Sequence, residues 1–540
     1  MVDGSEEKND ATILEERSVG EVCRLLEGRG VKLFDHQREG VEWMMHRERS
    51  EVVGVRGGFL CDDPGLGKTF QTIATMVGNR VDHTLVIVPK CVLKQWGMAF
   101  KKLMPGTDVY IHHGTGVPSR KDGGLEEFER RREAVTLTTL GMVLGRPKKK
   151  KQREIETTIL HDVHWGRIII DESQEIRNRK SKRNRAVTAL SGDLRWCLSG
   201  TPVQNKATDM LAQYRFLGIE DMAESTLDKA NKYFLKRRTK FEVAGRDTNF
   251  DIPELEQTIH SLEFATEEER RTYNLIRTNV AEEYEKLVGS SAPEQDKQLQ
   301  MLELLLRLRQ SSTNIQLAMN GLAKKFNVEL GRYRGGSTKM SFLVEELGKL
   351  EGKENSLVFC QWSEEIKMLG DMLDEKGIMW DKYDGSMSTD QRERVMGRFT
   401  DLENDGRSLA MRVLEEKAPN VLLVQIKAGG VGLNLQQFTQ IFLTTADWNP
   451  SNEIQAIARA HRMGQGKGVR VHRLSLHDNK GEFDTIDERL FNIQSAKRRL
   501  MADILHEDSA LDMGRVDTSM ITDTSVAMKL TDEDARYLLG

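Results

Sequence analysis

Asp62-Asp63-Pro64-Gly65-Leu66-Gly67-Lys68-Thr69 lies between the apolar run GGFLC and the helix-patterned FQTIATMV. Glycines at a strand-to-helix turn let the backbone wrap close to phosphate oxygens. Successive N–H groups then point into the concavity, Lys68 supplies a point charge, and Thr69 can ligate magnesium. Asp62 stands where the strict phosphate-loop pattern has its first glycine, and a tight turn with an exposed lysine would carry similar letters. Further on, the apolar Ile168-Ile169-Ile170 runs into Asp171-Glu172. At the carboxyl end of a strand, Asp171 can hold magnesium through water while Glu172 orients and deprotonates an attacking water. Adjacent acids after an apolar run are common by themselves; the lysine loop gives these two a target.

Three later segments could serve the same phosphate chemistry. Leu198-Ser199-Gly200-Thr201-Pro202 ends another β-type run and alone reads as a turn with hydroxyls. Lys427-Ala428-Gly429-Gly430-Val431-Gly432-Leu433-Asn434 follows VLLVQ, and glycines there allow close backbone approach to an anion. Arg459 and Arg462 are three apart in a stretch that predicts a helix, so they share a face and could reach one polyphosphate. Arg177 to Arg185 packs six basic residues into nine with no acid, either a solvated loop or a sequence-independent contact to nucleic-acid phosphates. No aromatic interleaving in that run favours base stacking.

These residues lie among segments that alternate in character. GGFLC, TLVIVP, AVTLTT, RIIID and RWCLSG are short apolar runs separated by amphipathic stretches, which predicts a parallel sheet flanked by helices. Residues 205–335 show almost no strand signal and carry charged helical periodicity, as in EEERRTYNLIRTNVAEEYEKL. Alternation resumes with SLVFC, NVLLVQ and TQIFLTT. The fold class expected is α/β, with two parallel-sheet lobes and a helical insert between them. The boundaries are an acidic tail over 1–30, lobe 1 over 31–225, the insert and linker over 226–335, lobe 2 over 336–500 and an acidic tail over 501–540. A hinge is expected at GRYRGGSTK, residues 331–339.

Composition narrows the class. The chain has 540 residues, 38% hydrophobic and 30% charged, which suits several folded units and no disordered or membrane-spanning polypeptide. The start MVDGSEEKND lacks the basic and apolar regions of a signal peptide. Five scattered cysteines without a C-x-x-C pair argue against a disulfide framework, a zinc finger or a RING module. The net charge of −4 is uneven: residues 1–17 carry −4 and residues 503–540 carry −6, leaving +6 on residues 18–502. A basic core between acidic ends is compatible with a polyanion partner.

Taken in order, these motifs resemble those of SWI/SNF-type (Snf family) DNA-dependent ATPases of helicase superfamily 2. LFDHQREGVEW (33–43) is similar to the family's opening motif, DDPGLGKT to motif I, TLVIVPKCVLKQW to motif Ia, Thr138-Thr139 to motif Ib, and DESQEIRN (171–178) to motif II. LSGTPVQN (198–205) resembles motif III and differs from the Ser-Ala-Thr of DEAD-box RNA helicases. FLKRRTK (234–240), LLLRLRQ (304–310), SLVFCQW, Tyr383-Asp384-Gly385-Ser386 with Arg392, KAGGVGLNL, Asp447-Trp448-Asn449-Pro450 and RAHRMGQ complete the set.

The resemblance implies two RecA-like lobes with ATP and Mg2+ in the cleft. Lys68, Asp171, Glu172, Arg459 and Arg462 are then catalytic, the two arginines acting as fingers from lobe 2. Gln37, Asp63, Gly65, Leu66, Gly67, Lys68, Thr69, Gly432 and Gln455 contact the nucleotide, with Gln37 reading adenine. Thr69 and Asp171 hold magnesium. Lys90, Trp96, Thr138, Arg177, Lys182, Lys427, Gly429 and Trp448 contact nucleic acid. The implied activity is ATP-driven translocation on double-stranded DNA that remodels or displaces bound proteins, with nucleosomes or polymerases as candidate substrates. No membrane and no zinc are implied. A strand-separating helicase and a nucleotide-binding scaffold with a degenerate motor are the alternatives. Two departures stand out: Gln174 replaces the usual His of motif II, though it can still bond the hydroxyls of Ser199 or Thr201, and Ser311-Ser312-Thr313-Asn314 follows LLRLRQ where Cys and His are common. Arg146-Pro147-Lys148-Lys149-Lys150-Lys151-Gln152-Arg153 has the form of a nuclear-import signal or of a basic DNA-facing loop, in a nuclear or viral setting.

Overall fold

Buried apolar runs at strand spacing dictate the architecture. In the computed structural model, Thr84–Ile87 and Val135–Thr138 are buried at every position, and Ile168, Ile169 and Ile170 are wholly inaccessible. Strands buried on both faces demand helices on both sides, the signature of a parallel sheet. The structure describes residues 13–114, 117, 126, 134–145, 157–246, 250, 252–326, 329, 331–400, 419–426, 433–505 and 538. The chain divides into two compact units, one running to Asp251 with Asp503–His506, the other beginning at Ile252.

The first unit is built on a seven-stranded sheet in the order Val109–His112, Val135–Thr138, Thr84–Ile87, His164–Asp171, Ser191–Leu198, Arg56–Leu60 and Leu235–Lys236. Each neighbouring pair is parallel. The helix Lys68–Gly78 follows the Arg56–Leu60 strand, and the acids end the His164–Asp171 strand. Both therefore sit at the carboxyl edge of one sheet, where open α/β sheets bind ligands.

The second unit carries a six-stranded parallel sheet in the order Leu255–Glu263, Val469–His477, Gln440–Leu443, Ser356–Cys360, Val421–Gln425 and Trp380–Tyr383. Its flanks include the helices Glu267–Val288, Glu294–Thr313 and Thr338–Leu350. A buried cluster around Tyr273, Tyr284, Leu308 and Ile486 joins the first two of these to the rest of the unit.

The stretch expected to be helical contains strands. Leu235–Lys236 pairs with Phe59 and Leu60, and the nine-residue Leu255–Glu263 pairs along its whole length with Val469–His477. Its sequence, LEQTIHSLE, carries no strand signal because an edge strand needs to bury only part of one face, so no continuous apolar run appears. The units accordingly divide at Asp251/Ile252 and not at residues 331–339. Residues 1–12, the basic run 146–153, Lys427, Gly429 and Gly432, and residues 506–537 lie outside the described residues.

Candidate nucleotide site

The loop after the Arg56–Leu60 strand is shaped by backbone conformations that L side chains avoid. Gly65 and Gly67 have φ of 100° and 81°, and Gly67 caps the helix Lys68–Gly78 from the left-handed region. The free N–H groups of that helix's first turn, with its dipole, face the loop. Lys68 Nζ donates to the carbonyls of Asp62 (2.6 Å) and Asp63 (3.3 Å), holding the ammonium over the loop, and Thr69 is half-buried in the same turn. Gly200 approaches so closely that a Cβ there would fall 2.6 Å from the Pro64 ring.

Asp62, the residue that breaks the strict glycine pattern, has a structural reason. Its carboxylate is inaccessible and accepts both ends of the Arg238 guanidinium, at 3.0 and 2.6 Å, plus the Gln71 amide at 2.9 Å. Arg238 also donates to Gln71 Oε1 (2.8 Å) and to the His36 carbonyl. Asp63 pairs with Arg237 at 3.0 Å and accepts the Lys240 N–H at 3.0 Å. The FLKRRTK segment thus clamps the underside of the phosphate loop. Gln37 is buried, with its amide on the Leu66 carbonyl (3.3 Å) and its Oε1 taking the Phe34 N–H (3.1 Å).

The acids stand opposite. Asp171 Oδ1 accepts the Glu172 N–H at 3.0 Å, and Oδ2 accepts the indole N–H of Trp96 at 2.9 Å. Burial, then the negative charge of Glu172, push the Asp171 carboxyl up to about 6, while the Trp96 bond and the Lys68 charge pull it back. Glu172 holds φ of 54°, a left-handed conformation that a non-glycine residue adopts at a cost of about 1–3 kcal/mol. Its carboxylate takes the Gln174 amide at 2.8 Å, and Gln174 Oε1 accepts the Ser199 hydroxyl at 2.6 Å. Ser173 bonds Gln213 at 2.7 Å, which in turn donates to the Pro202 carbonyl at 2.8 Å. Two parallel links therefore tie DES to LSGTP, and the unusual Gln174 makes one of them.

Magnesium takes hard oxygen ligands and commonly uses one or two protein groups, completing its shell with water and substrate phosphates. The Thr69 hydroxyl and Asp171 carboxylate, after the carboxyl ends of two strands that flank Ser191–Leu198 in one sheet, are a donor set of that kind.

Within the second unit the arginines sit differently from the sequence expectation. The helix Pro450–Ile457 stops before them, so Arg459 and Arg462 lie in the turn that follows it rather than on a helical face. That turn is pinned by the His461 ring on the Pro253 carbonyl (2.8 Å) and by the Gln465 amide on the Gln436 carbonyl (2.7 Å). Burial, and then the charge of Arg459, hold Arg462 below the ordinary arginine value. Gln455 is half-buried on the helix.

The residues assigned to nucleic acid separate into two groups. Lys90 and Lys182 are exposed, and Arg177 is half-buried with its guanidinium on the Gln174 carbonyl at 3.1 Å. Trp96 and Thr138 are corrections: Trp96 is 1% exposed and engaged with Asp171, and Thr138 is wholly buried with its hydroxyl on the His112 carbonyl. Neither side chain presents a face to a strand. The half-buried Trp448 lies under the Lys497 ammonium, 4.7 Å from the ring centroid. Its sequence signal is its place in the family-like Asp447-Trp448-Asn449-Pro450, which does not distinguish an exposed platform from a packed ring.

Residues 36–227 match the SNF2-related domain and residues 338–464 match the helicase conserved C-terminal domain. A "Probable global transactivator" of Orgyia pseudotsugata multicapsid polyhedrosis virus is 30% identical, over 82% of this chain and 86% of that protein. An "Uncharacterized ATP-dependent helicase" of Mycoplasma pneumoniae is 26% identical over 88% of this chain. The human "SWI/SNF-related matrix-associated actin-dependent regulator of chromatin subfamily A member 1" is 27% identical over 94% of it. The chain spans 42% and 47% of the length of these last two.

Proposed function

The chain belongs to the SNF2-type family of helicase-like DNA-dependent ATPases, and from that premise we propose that it is a double-stranded-DNA translocase that hydrolyses ATP to remodel or displace DNA-bound proteins. The carrying observation is the connection between the acids and the basic run. Gln174 touches Glu172 with its amide, Ser199 with its carbonyl oxygen, and Arg177, the first residue of the basic run, through its backbone carbonyl. A change at the γ-phosphate has a short covalent and hydrogen-bonded route to a segment suited to phosphate contact.

In this reading the N–H groups of the phosphate loop and Lys68 bind the β- and γ-phosphates. Thr69 and Asp171 would hold magnesium, which would supply positive charge to offset that of the phosphates. Glu172, oriented by Gln174, takes the proton of the attacking water. Arg459 and Arg462 stabilise the charge that develops on the transferred phosphoryl group, and Gln37 and Gln455 with Asp63, Gly65, Leu66, Gly67 and Gly432 complete the nucleotide contacts. Lys90, Arg177, Lys182, Lys427, Gly429 and Trp448 face the DNA. Work in the nucleus, on nucleosomes or polymerases, is supported by the RPKKKKQR run and by the name of the human relative, a regulator of chromatin.

Translocation without strand separation predicts that the chain, given ATP, displaces a third strand from a synthetic triplex and leaves an ordinary duplex intact. Unwinding of the duplex without triplex displacement would replace the proposal with a strand-separating helicase.

A further inference from the structure

The mechanism above gives Trp96 no part, yet its indole supplies one of the two hydrogen bonds that orient Asp171. The other comes from the neighbouring Glu172 N–H and so cannot vary independently of the acid pair. A large aromatic ring is usually buried for its area, and its N–H goes wherever an acceptor is available. Here the acceptor is the carboxylate at the centre of the phosphate chemistry, reached from a different element: Trp96 lies on the helix Leu93–Leu103, far from Asp171 in sequence.

That helix packs against Lys68–Gly78, the helix that opens from the phosphate loop, and Trp96 is steadied by Phe100, with ring centroids 6.0 Å apart. Its opposite face is open. Lys90, in the short turn that leads into the helix, and Lys94, in its first turn, are both exposed, within two turns of the buried Trp96. One rigid segment therefore carries two cations suited to a phosphate backbone on its outer side and the Asp171 donor on its inner side.

We propose that Trp96 is a positioning residue: its indole N–H fixes the Asp171 carboxylate for magnesium-nucleotide binding, and the segment Lys90–Trp96 transmits DNA phosphate contact to that carboxylate. The inference rests on the phosphate site assigned above. No bond is made or broken by Trp96; it sets the direction of an Asp171 lone pair. A hydrogen bond to an ionised carboxylate is among the stronger neutral-donor contacts, and its loss from a buried group is felt in full.

The test removes the donor and keeps the ring. Trp96→Phe does so by ordinary mutagenesis, and replacement of Trp96 by benzothienylalanine, whose sulfur takes the place of the N–H in a bicycle of nearly the same shape, does so without a cavity. The full chain is titrated with a fluorescent ATP analogue at graded magnesium chloride, with and without a synthetic duplex. Both variants are expected to bind nucleotide as the wild type does in EDTA, to need about tenfold more magnesium for half-maximal binding, and to lose most of the tightening that the duplex produces. Wild-type magnesium dependence in the benzothienylalanine chain overturns the inference, whatever Trp96→Phe does to folding. A wild-type chain that binds no nucleotide would instead overturn the phosphate-site reading itself.

Discussion

Glu172→Gln is expected to lower the ATP turnover rate by about 10³-fold or more while leaving nucleotide binding nearly intact. General-base assistance is typically worth 10² to 10⁴ in rate, and the neighbouring Asp171 is already bonded to Trp96 and to the Glu172 N–H. The amide matches the carboxylate in shape, so the left-handed conformation of residue 172 and the contact to Gln174 both survive. The change is therefore confined to proton acceptance. Single-turnover hydrolysis, measured beside binding of a fluorescent ATP analogue, separates the two. Hydrolysis within tenfold of wild type would remove Glu172 from the role of base.

Arg238→Ala is expected to destabilise the first unit by about 3–5 kcal/mol, the usual result of stripping one partner from a buried ion pair. The Asp62 carboxylate is inaccessible, and Arg238 provides two of the three hydrogen bonds it accepts, leaving only the Gln71 amide. Arg238 also carries the His36 carbonyl and Gln71 Oε1, so the loss reaches the helix Asp35–Arg49 as well as the phosphate loop. Replacing Asp62 by Ala in the same chain is expected to recover part of the deficit, because the stranded charge then disappears. Urea denaturation followed by a probe in the first unit reads both variants. Additive losses from the two substitutions would mean that the pair does not act as one unit.

The comparison of Asp62 with Lys68 shows what sequence reveals and what it hides. Lys68, Gly65 and Gly67 are legible because strand, loop and helix are contiguous, so local letters specify local geometry. The reason for Asp62 lies in Arg238, which sequence places in the same family pattern without saying which acid it meets. Trp96 is the sharper instance. Its motif suggested a nucleic-acid surface, and only the packing of its helix shows that the indole turns inward to Asp171. Thr138 fails similarly, since a hydroxyl at a strand end can face solvent or bond a neighbouring strand, as it does with His112.

The sheets follow the same division. Strands buried on both faces, such as Ile168–Ile170 and Leu357–Phe359, announce themselves as apolar runs. The Leu255–Glu263 strand, exposed along much of its length, has no such run and lies within a stretch whose sequence predicts helix. Arg459 and Arg462 lie beyond the helix predicted to align them, which ends at Ile457, in a turn held by His461 and Gln465 instead. Gln174 could be anticipated as a partner for Ser199, whereas its grip on Glu172 needed the left-handed turn at residue 172 to bring the side chains together.

In the proposed function an ATP site in the first unit is driven by contact with duplex DNA. The steady-state ATPase rate of the full chain, with and without a synthetic duplex and with Lys68→Ala as the blank, tests it most directly. Strong stimulation by the duplex that vanishes in Lys68→Ala is the predicted result, and hydrolysis that ignores the duplex or persists without Lys68 would contradict it.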